Sequence, residues 1–243
     1  MSRNIRLVVG LAGLGFTGAW SLWKRLEPDP TPPRVAAHTA LRPLFLLSDG
    51  RSFKAGTAVC VRTAPGAKPL MLTALHLFGP AGGLKRDIAP GELDKQVRAA
   101  AATDLAGKQL LVKAQGTATH SGYPMTAQGD VSGDVVAFRM APASKAAVLP
   151  LAPNATLEDS WLWLVGDVAG SKTPCQRLFP ARVEVRGSTS TTVEFREDFP
   201  LTAFSGAPLV NARGEVAGLL IGGDGRRGWI ITARLIHKRL AAG

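Results

Sequence analysis

A chain of 243 residues, 46% hydrophobic and 19% charged, with 27 Gly and 17 Pro set between short Val/Leu/Ile/Thr-rich runs, has the make-up of a globular, turn-rich protein with enough apolar material for a full core. Its two cysteines, Cys60 and Cys175, exclude a disulfide-dense scaffold and a zinc module built on CxxC pairs, and leave open whether the two pair or stay as separate thiols. The net charge of +11 favours anionic neighbours, but the Lys and Arg residues are scattered, with no basic run of five and no aromatic interleaving, which argues against a nucleic-acid role.

In chain order, Arg3 and Arg6 precede the uncharged stretch Leu7 to Trp23, after which Lys24 and Arg25 restore the charge. Its 17 residues just reach the length of a spanning helix and exceed the apolar core of most cleaved signals. No small-x-small cleavage site is followed by a polar start, so residues 1–25 are expected to act as a signal-anchor, with Trp20 and Trp23 at the membrane interface; a removed signal peptide is the alternative. Residues 26–40, containing PDPTPP, are expected to be an extended Pro-rich spacer. This places the domain outside the cytoplasm, at the cell envelope, or secreted if the segment is cleaved.

From residue 41 onward, short apolar runs alternate with turns: LRPLFLL, AGTAVCVRT, PLMLTALHLF, KQLLVKAQGTAT, DVVAFRM, SWLWLVGDV, ARVEVRGS, TTVEFRE, APLVNARGEVAGLLIGG and GWIITA. Regular short strands of this kind predict an antiparallel barrel or sandwich. Two helical segments are predicted, one at about 90–103 (PGELDKQVRAAAAT), from its Pro near the start and its run of good helix formers, and one at 233–241 (ARLIHKRLA). The Ala- and Pro-rich stretch 141–153 reads as a connector between two groups of strands, one at about 41–145 and one at about 154–232.

Acyl transfer by a serine needs a hydroxyl, an imidazole to take its proton and a buried carboxylate to fix the imidazole tautomer. His76 stands where an apolar strand ends, before a Gly-Pro turn, whereas His38 lies in the spacer, His120 in a polar turn and His237 in the last helix. Ser205 sits in a tight turn of small residues ahead of an apolar hairpin, where its own N–H and that of Ala203 can converge on a developing oxyanion. Asp130 and Asp134 both offer a carboxylate; Asp134 is preferred because it leads directly into Val135-Val136-Ala137-Phe138.

LTALHL resembles the TAAHC motif of trypsin-like peptidases, DVVAF resembles their D-[IL]-A-[LV] motif, and FSGAPLVN resembles GDSGGPLV around the nucleophile. The three occur in the family's chain order, and the likeness spans about residues 45–240. The resemblance implies an all-β chymotrypsin-like fold of two antiparallel six-stranded barrels with a short C-terminal helix, and a polypeptide substrate cut through an acyl-enzyme. It implies His76, Asp134 and Ser205 as triad, Ala203 and Ser205 as oxyanion donors, and neither a metal nor an organic cofactor. It also sets Phe199 near the base of the primary pocket and Gly222 and Gly223 near its wall, favouring a small or apolar side chain.

Three departures from the family pattern carry expectations of their own. Phe204 replaces the aspartate that receives a newly made N-terminus, which excludes activation by that salt bridge. Leu77 replaces the cysteine that usually follows the histidine, so Cys60 lacks its customary partner. Ala203 stands where most members have glycine; if it cannot adopt glycine's backbone, one oxyanion donor is misdirected at a cost of roughly 100- to 1000-fold in turnover, and a peptidase-like binding module without activity becomes the rival reading.

Overall fold

The computed structural model describes residues 30–153 and 161–242. The expected signal-anchor lies outside the described residues, and no described helix is long and apolar enough to cross a membrane. The strands and helices described below belong to one compact unit, which begins at Pro32.

It is built from strands β1 (Arg42–Leu47), β2 (Ser52–Lys54), β3 (Val59–Arg62), β4 (Leu70–Thr73), β5 (Val97–Thr103), β6 (Leu110–Thr117), β7 (Val136–Met140), β8 (Val148–Pro150), β9 (Trp161–Gly166), β10 (Arg177–Arg186), β11 (Thr191–Phe195), β12 (Pro208–Val210), β13 (Val216–Asp224) and β14 (Arg227–Thr232). A one-turn helix α1 (Leu93–Gln96) precedes β5, and α2 (Ala233–Ala241) ends the described chain. The second group of strands closes into a six-stranded barrel in the order β10-β11-β14-β13-β12-β9.

The first group is an eight-stranded sheet, β2-β1-β5-β6-β7-β4-β3-β8, where six strands were expected. Leu41 and Ala58 exchange two backbone hydrogen bonds (2.9 and 3.0 Å), joining the start of β1 to the approach to β3, so the six longer strands come round on themselves. The extra strands are the two three-residue ones, β2 and β8, which flank that junction. β8 falls within the stretch read as a connector, where it runs parallel to β3; Leu151 then bridges Val216 of the second barrel.

The helix expected at 90–103 is a second correction. Only α1 forms, and VRAAAAT is strand β5, hydrogen-bonded on both edges to β1 and β6. Alanine is the best helix former in isolation, but Val97, Ala100 and Ala102 turn into the barrel interior, and their small side chains let the wall close there; packing overrides local propensity.

Three apolar clusters explain why so many strands read as unbroken apolar runs. Cys60, Met71, Val136 and Phe138 fill the first barrel, and Leu162, Leu164, Ala217 and Leu220 fill the second. Their sequence neighbours Val59, Val61, Leu72, Ala137, Trp163, Val165, Leu219 and Ile221 form a third cluster in which residues of both barrels pack together. A strand buried on both faces loses the polar alternation of a solvent-facing one. The end of the expected spacer also docks here: Gln176 Oε1 accepts the N–H groups of Thr39 (2.8 Å) and Ala40 (3.1 Å), both fully buried.

Candidate active site

Strand register brings the histidine and the aspartate together. β4 and β7 are antiparallel neighbours with Thr73 opposite Val136, so the chain just after β4 meets the chain just before β7. After β4, a 3-10 turn (Leu75–Phe78) buries Leu75, Leu77 and Phe78 and leaves His76 partly exposed, its side chain at 16%. Asp134, at 0% exposure, sits at the end of a turn closed by its own N–H to the Val131 carbonyl (3.0 Å).

The Asp134 carboxylate takes three hydrogen bonds. Oδ1 accepts the His76 backbone N–H at 2.9 Å, and Oδ2 accepts the Met125 backbone N–H at 2.8 Å and the imidazole Nδ1 at 2.9 Å. A carboxylate surrounded by donors only accepts, so Nδ1 is the donating nitrogen, and in the neutral form of the ring the lone pair is on Nε2. Asp130, the other candidate, instead accepts the Tyr123 hydroxyl (2.9 Å) and the Ser132 N–H (2.7 Å).

The serine lies on a double turn between β11 and β12. The Phe204 N–H donates to the Leu201 carbonyl (3.0 Å) and the Ala207 N–H to the Phe204 carbonyl (2.7 Å), which makes Ala203 and Gly206 the third residues of successive turns. A positive φ at that position defines the type II turn, and both residues have one, +91° at Ala203 and +84° at Gly206. Ala203 therefore adopts the backbone that glycine would take, at the cost of local strain. Among the described residues, no acceptor takes the N–H of Ala203 or of Ser205.

Two glycines bring this loop against the first barrel. A Cβ on Gly206 would stand 2.3 Å from the Thr57 carbonyl oxygen and 2.9 Å from the Ala74 nitrogen, and one on Gly56 would stand 2.5 Å from the Ser205 carbonyl oxygen. The serine loop and the chain leading to His76 are thus in backbone contact. Thr57 ties them, its N–H donating to the Ser205 carbonyl and its hydroxyl to the Ala203 carbonyl, each at 2.8 Å, while the Thr73 hydroxyl donates to the Thr57 carbonyl at 2.7 Å. The Ser205 hydroxyl donates to the Ile221 carbonyl at 3.3 Å and makes no hydrogen bond to the imidazole.

The pocket residues are placed as follows. Phe199 stacks on Phe179 (4.5 Å between centroids) and meets Phe195 and Phe204 edge-on. Phe204 is fully buried in that cluster, so an apolar ring fills the position before the serine. Gly222 opens towards the Trp229 ring and the Met125 methyl, at 3.5 and 3.7 Å from a Cβ built there, whereas Gly223 is pressed against the Leu201 side chain. Both thiols are free: Cys60 is buried inside the first barrel, which pushes its pKa up to about 12, and Cys175 is exposed. No group of three or more His, Cys, Asp or Glu among the described residues has the arrangement of a metal site.

Thr57, Thr73 and Met125 were not singled out from the sequence. Met125 acts on Asp134 through its backbone N–H, which any residue but proline supplies; Thr57 reaches across to the serine loop, and Thr73 holds Thr57 from within the first barrel, through contacts that no short motif encodes.

The architecture is the chymotrypsin-like fold. Similar solved structures include a protease from M. tuberculosis in its active form (17% identity, TM-score 0.50, covering 89% of this chain and 92% of that one) and a human pathogenic astrovirus serine protease (14%, 0.51, 84% and 95%). A thermostable serine protease from an extremophilic microorganism is also similar (13%, 0.54, 85% and 97%). No family model matches the sequence, and no curated protein does.

Proposed function

We propose that the chain is a serine endopeptidase that cleaves peptide bonds through an acyl-enzyme on Ser205. The observation that carries this is the His76–Asp134 pair, a fully buried carboxylate with all its donors in place, set beside a serine loop that presents two unused N–H groups. In this reading the Ser205 hydroxyl turns from the Ile221 carbonyl to Nε2 of His76 and attacks the substrate carbonyl while the imidazole takes its proton. Asp134 holds the tautomer and stabilises the imidazolium, and the N–H groups of Ala203 and Ser205 receive the oxyanion. His76 then returns the proton to the leaving amine, and water, deprotonated by the same ring, releases the acyl group.

The Gly222, Trp229 and Met125 surface favours small or apolar side chains next to the scissile bond. We place the domain outside the cytoplasm, held at the envelope by the N-terminal segment, on the sequence pattern described above.

The test is labelling of the full-length chain with a fluorophosphonate probe, alongside Ser205→Ala and His76→Ala. Labelling of the wild type that disappears in both variants supports the proposal. A wild-type chain that melts cooperatively yet takes no label refutes it in favour of a binding module.

A further inference from the structure

Asp134 is only as well placed as the loop that delivers it. Residues 123–134 close on themselves, with the Tyr123 N–H donating to the Gly133 carbonyl (3.2 Å) and the Thr126 N–H to the Asp130 carbonyl (3.0 Å). The Tyr123 hydroxyl bonds Asp130 Oδ2 (2.9 Å) and Ser132 Oγ (2.8 Å). The Tyr123 ring packs on the Gly133 backbone so tightly that a Cβ there would stand 2.7 Å from ring carbons. The loop is thus one body, and Asp134 is its last residue.

A side chain from the far end of the sequence grips this body. Arg239, on α2, donates from Nε to the Ser132 carbonyl at 2.8 Å and holds its guanidinium 5.2 Å from the centre of the Tyr123 ring. α2 is a firm base for that reach. Leu235 and Ile236 are buried in the cluster where both barrels pack, and His237 Nε2 bonds the Ala152 carbonyl at 3.0 Å. Ser132 lies two residues before Asp134, and Tyr123 two residues before Met125, whose N–H orients the same carboxylate.

We propose that Arg239 is a positioning residue for the His76–Asp134 pair, clamping the 123–134 loop so that the carboxylate stays fixed on the imidazole. The proposal rests on reading that pair as the working dyad. Without the clamp, the loop keeps its internal bonds but moves as a unit, and Asp134 loses its constant geometry against the His76 N–H and Nδ1.

The sign of the effect separates this role from a simple charge effect. Asp134 is the charged group that faces His76; Asp130 on the loop and Arg239 on α2 are the charges behind it. Deleting a nearby cation by itself makes an imidazolium easier to form and raises its pKa. Loosening its carboxylate partner lowers it.

The experiment is an NMR titration of the His76 ring nitrogens in the full-length chain, in wild type, Arg239→Ala, Arg239→Lys, Tyr123→Phe and Tyr123→Leu. The Arg239→Ala midpoint is expected to fall by about half a pH unit or more, roughly a 3-fold change in proton affinity. Tyr123→Phe, which keeps the ring that the guanidinium covers and loses the hydroxyl bonds to Asp130 and Ser132, should stay closer to wild type than Tyr123→Leu, which loses both and should fall in the same direction as Arg239→Ala. This pair serves as a second route if Arg239→Ala does not fold. Arg239→Lys, which keeps a cation and a donor, should recover at least half of the shift. A midpoint that is unchanged or raised in a cooperatively melting Arg239→Ala or Tyr123→Leu overturns the proposal. The titration does not depend on turnover, so failure of the wild type to take the fluorophosphonate label would refute the peptidase reading separately.

Discussion

Replacing Ala203 with glycine measures the strain in this turn and tests whether its N–H already points at the oxyanion position. A non-glycine residue in the left-handed region costs about 1–2 kcal/mol, and Ala203 is there at φ +91°. Glycine removes that strain but gives the unfolded chain more freedom, which takes back about 0.4–1 kcal/mol. The net expectation is a gain of about 0.5–1 kcal/mol, seen as a rise in Tm of roughly 1–4 °C for a folded unit of this size. In a melt of the full-length chain, Ala203→Val should move the other way, because a β-branched residue tolerates positive φ worse. The fluorophosphonate labelling rate of Ala203→Gly should stay within about 3-fold of wild type, because the alanine already holds the glycine-like backbone. A gain of 100-fold, the size of a restored oxyanion donor, would refute the reasoning and show that alanine had turned the N–H away.

Other perturbations follow from the same contacts. Gly206→Ala sets a Cβ 2.3 Å from the Thr57 carbonyl oxygen at a φ of +84°, so it should cost at least about 2 kcal/mol in a denaturant melt and abolish labelling of whatever folds. A thiol reagent at pH 8 should modify Cys175 in the native chain and spare Cys60, whose pKa burial pushes up to about 12; modification of both without denaturant would contradict the placement of Cys60 inside the barrel. The Asn211 side-chain amide, followed by Arg213, draws the Glu215 carboxyl below its ordinary 4.5. A depressed carboxyl stabilises the fold above its unfolded pKa and loses that contribution as pH falls through its folded one. Glu215→Gln should therefore narrow the stability gap between pH 7 and pH 3, read from urea midpoints; an unchanged gap would mean the β12–β13 turn does not sense that charge.

The parts of the fold legible in the sequence were those in which local pattern and burial agree. DVVAF and SWLWLV read as strands because both faces of β7 and β9 are buried, and FSGAPLV reads as a turn before a strand because Gly206 and Pro208 punctuate it. VRAAAAT reads as helix and folds as strand because four alanines carry helix propensity and no hint of the barrel wall they complete. β2 and β8 have three residues each, too few for any periodicity, and they become strands by lying beside β1 and β3. At the site, residue types announce the imidazole, the carboxylate and the hydroxyl. The Met125 N–H, the Thr57 bridge and the Arg239 clamp are long-range or backbone contributions that leave no mark on residue type.

The costly features of this molecule converge on one place. A carboxylate at zero exposure is expensive unless every oxygen is satisfied, and Asp134 is satisfied by two backbone N–H groups and one imidazole. The backbone is strained at Ala203, two residues before the serine, and the N–H groups of Ala203 and Ser205 have no acceptor among the described residues. Joining the two barrels needs none of these: Thr57 already bridges them, and the third apolar cluster already packs them together. A module that only bound a peptide could keep the same barrels with Ala203 in a relaxed turn and a neutral side chain at position 134. Strain and unused donors on the serine loop, with a buried charge on the imidazole beside it, are what the proposed reaction would need to stabilise a transient oxyanion and imidazolium, which is the physical ground on which we propose catalysis rather than binding.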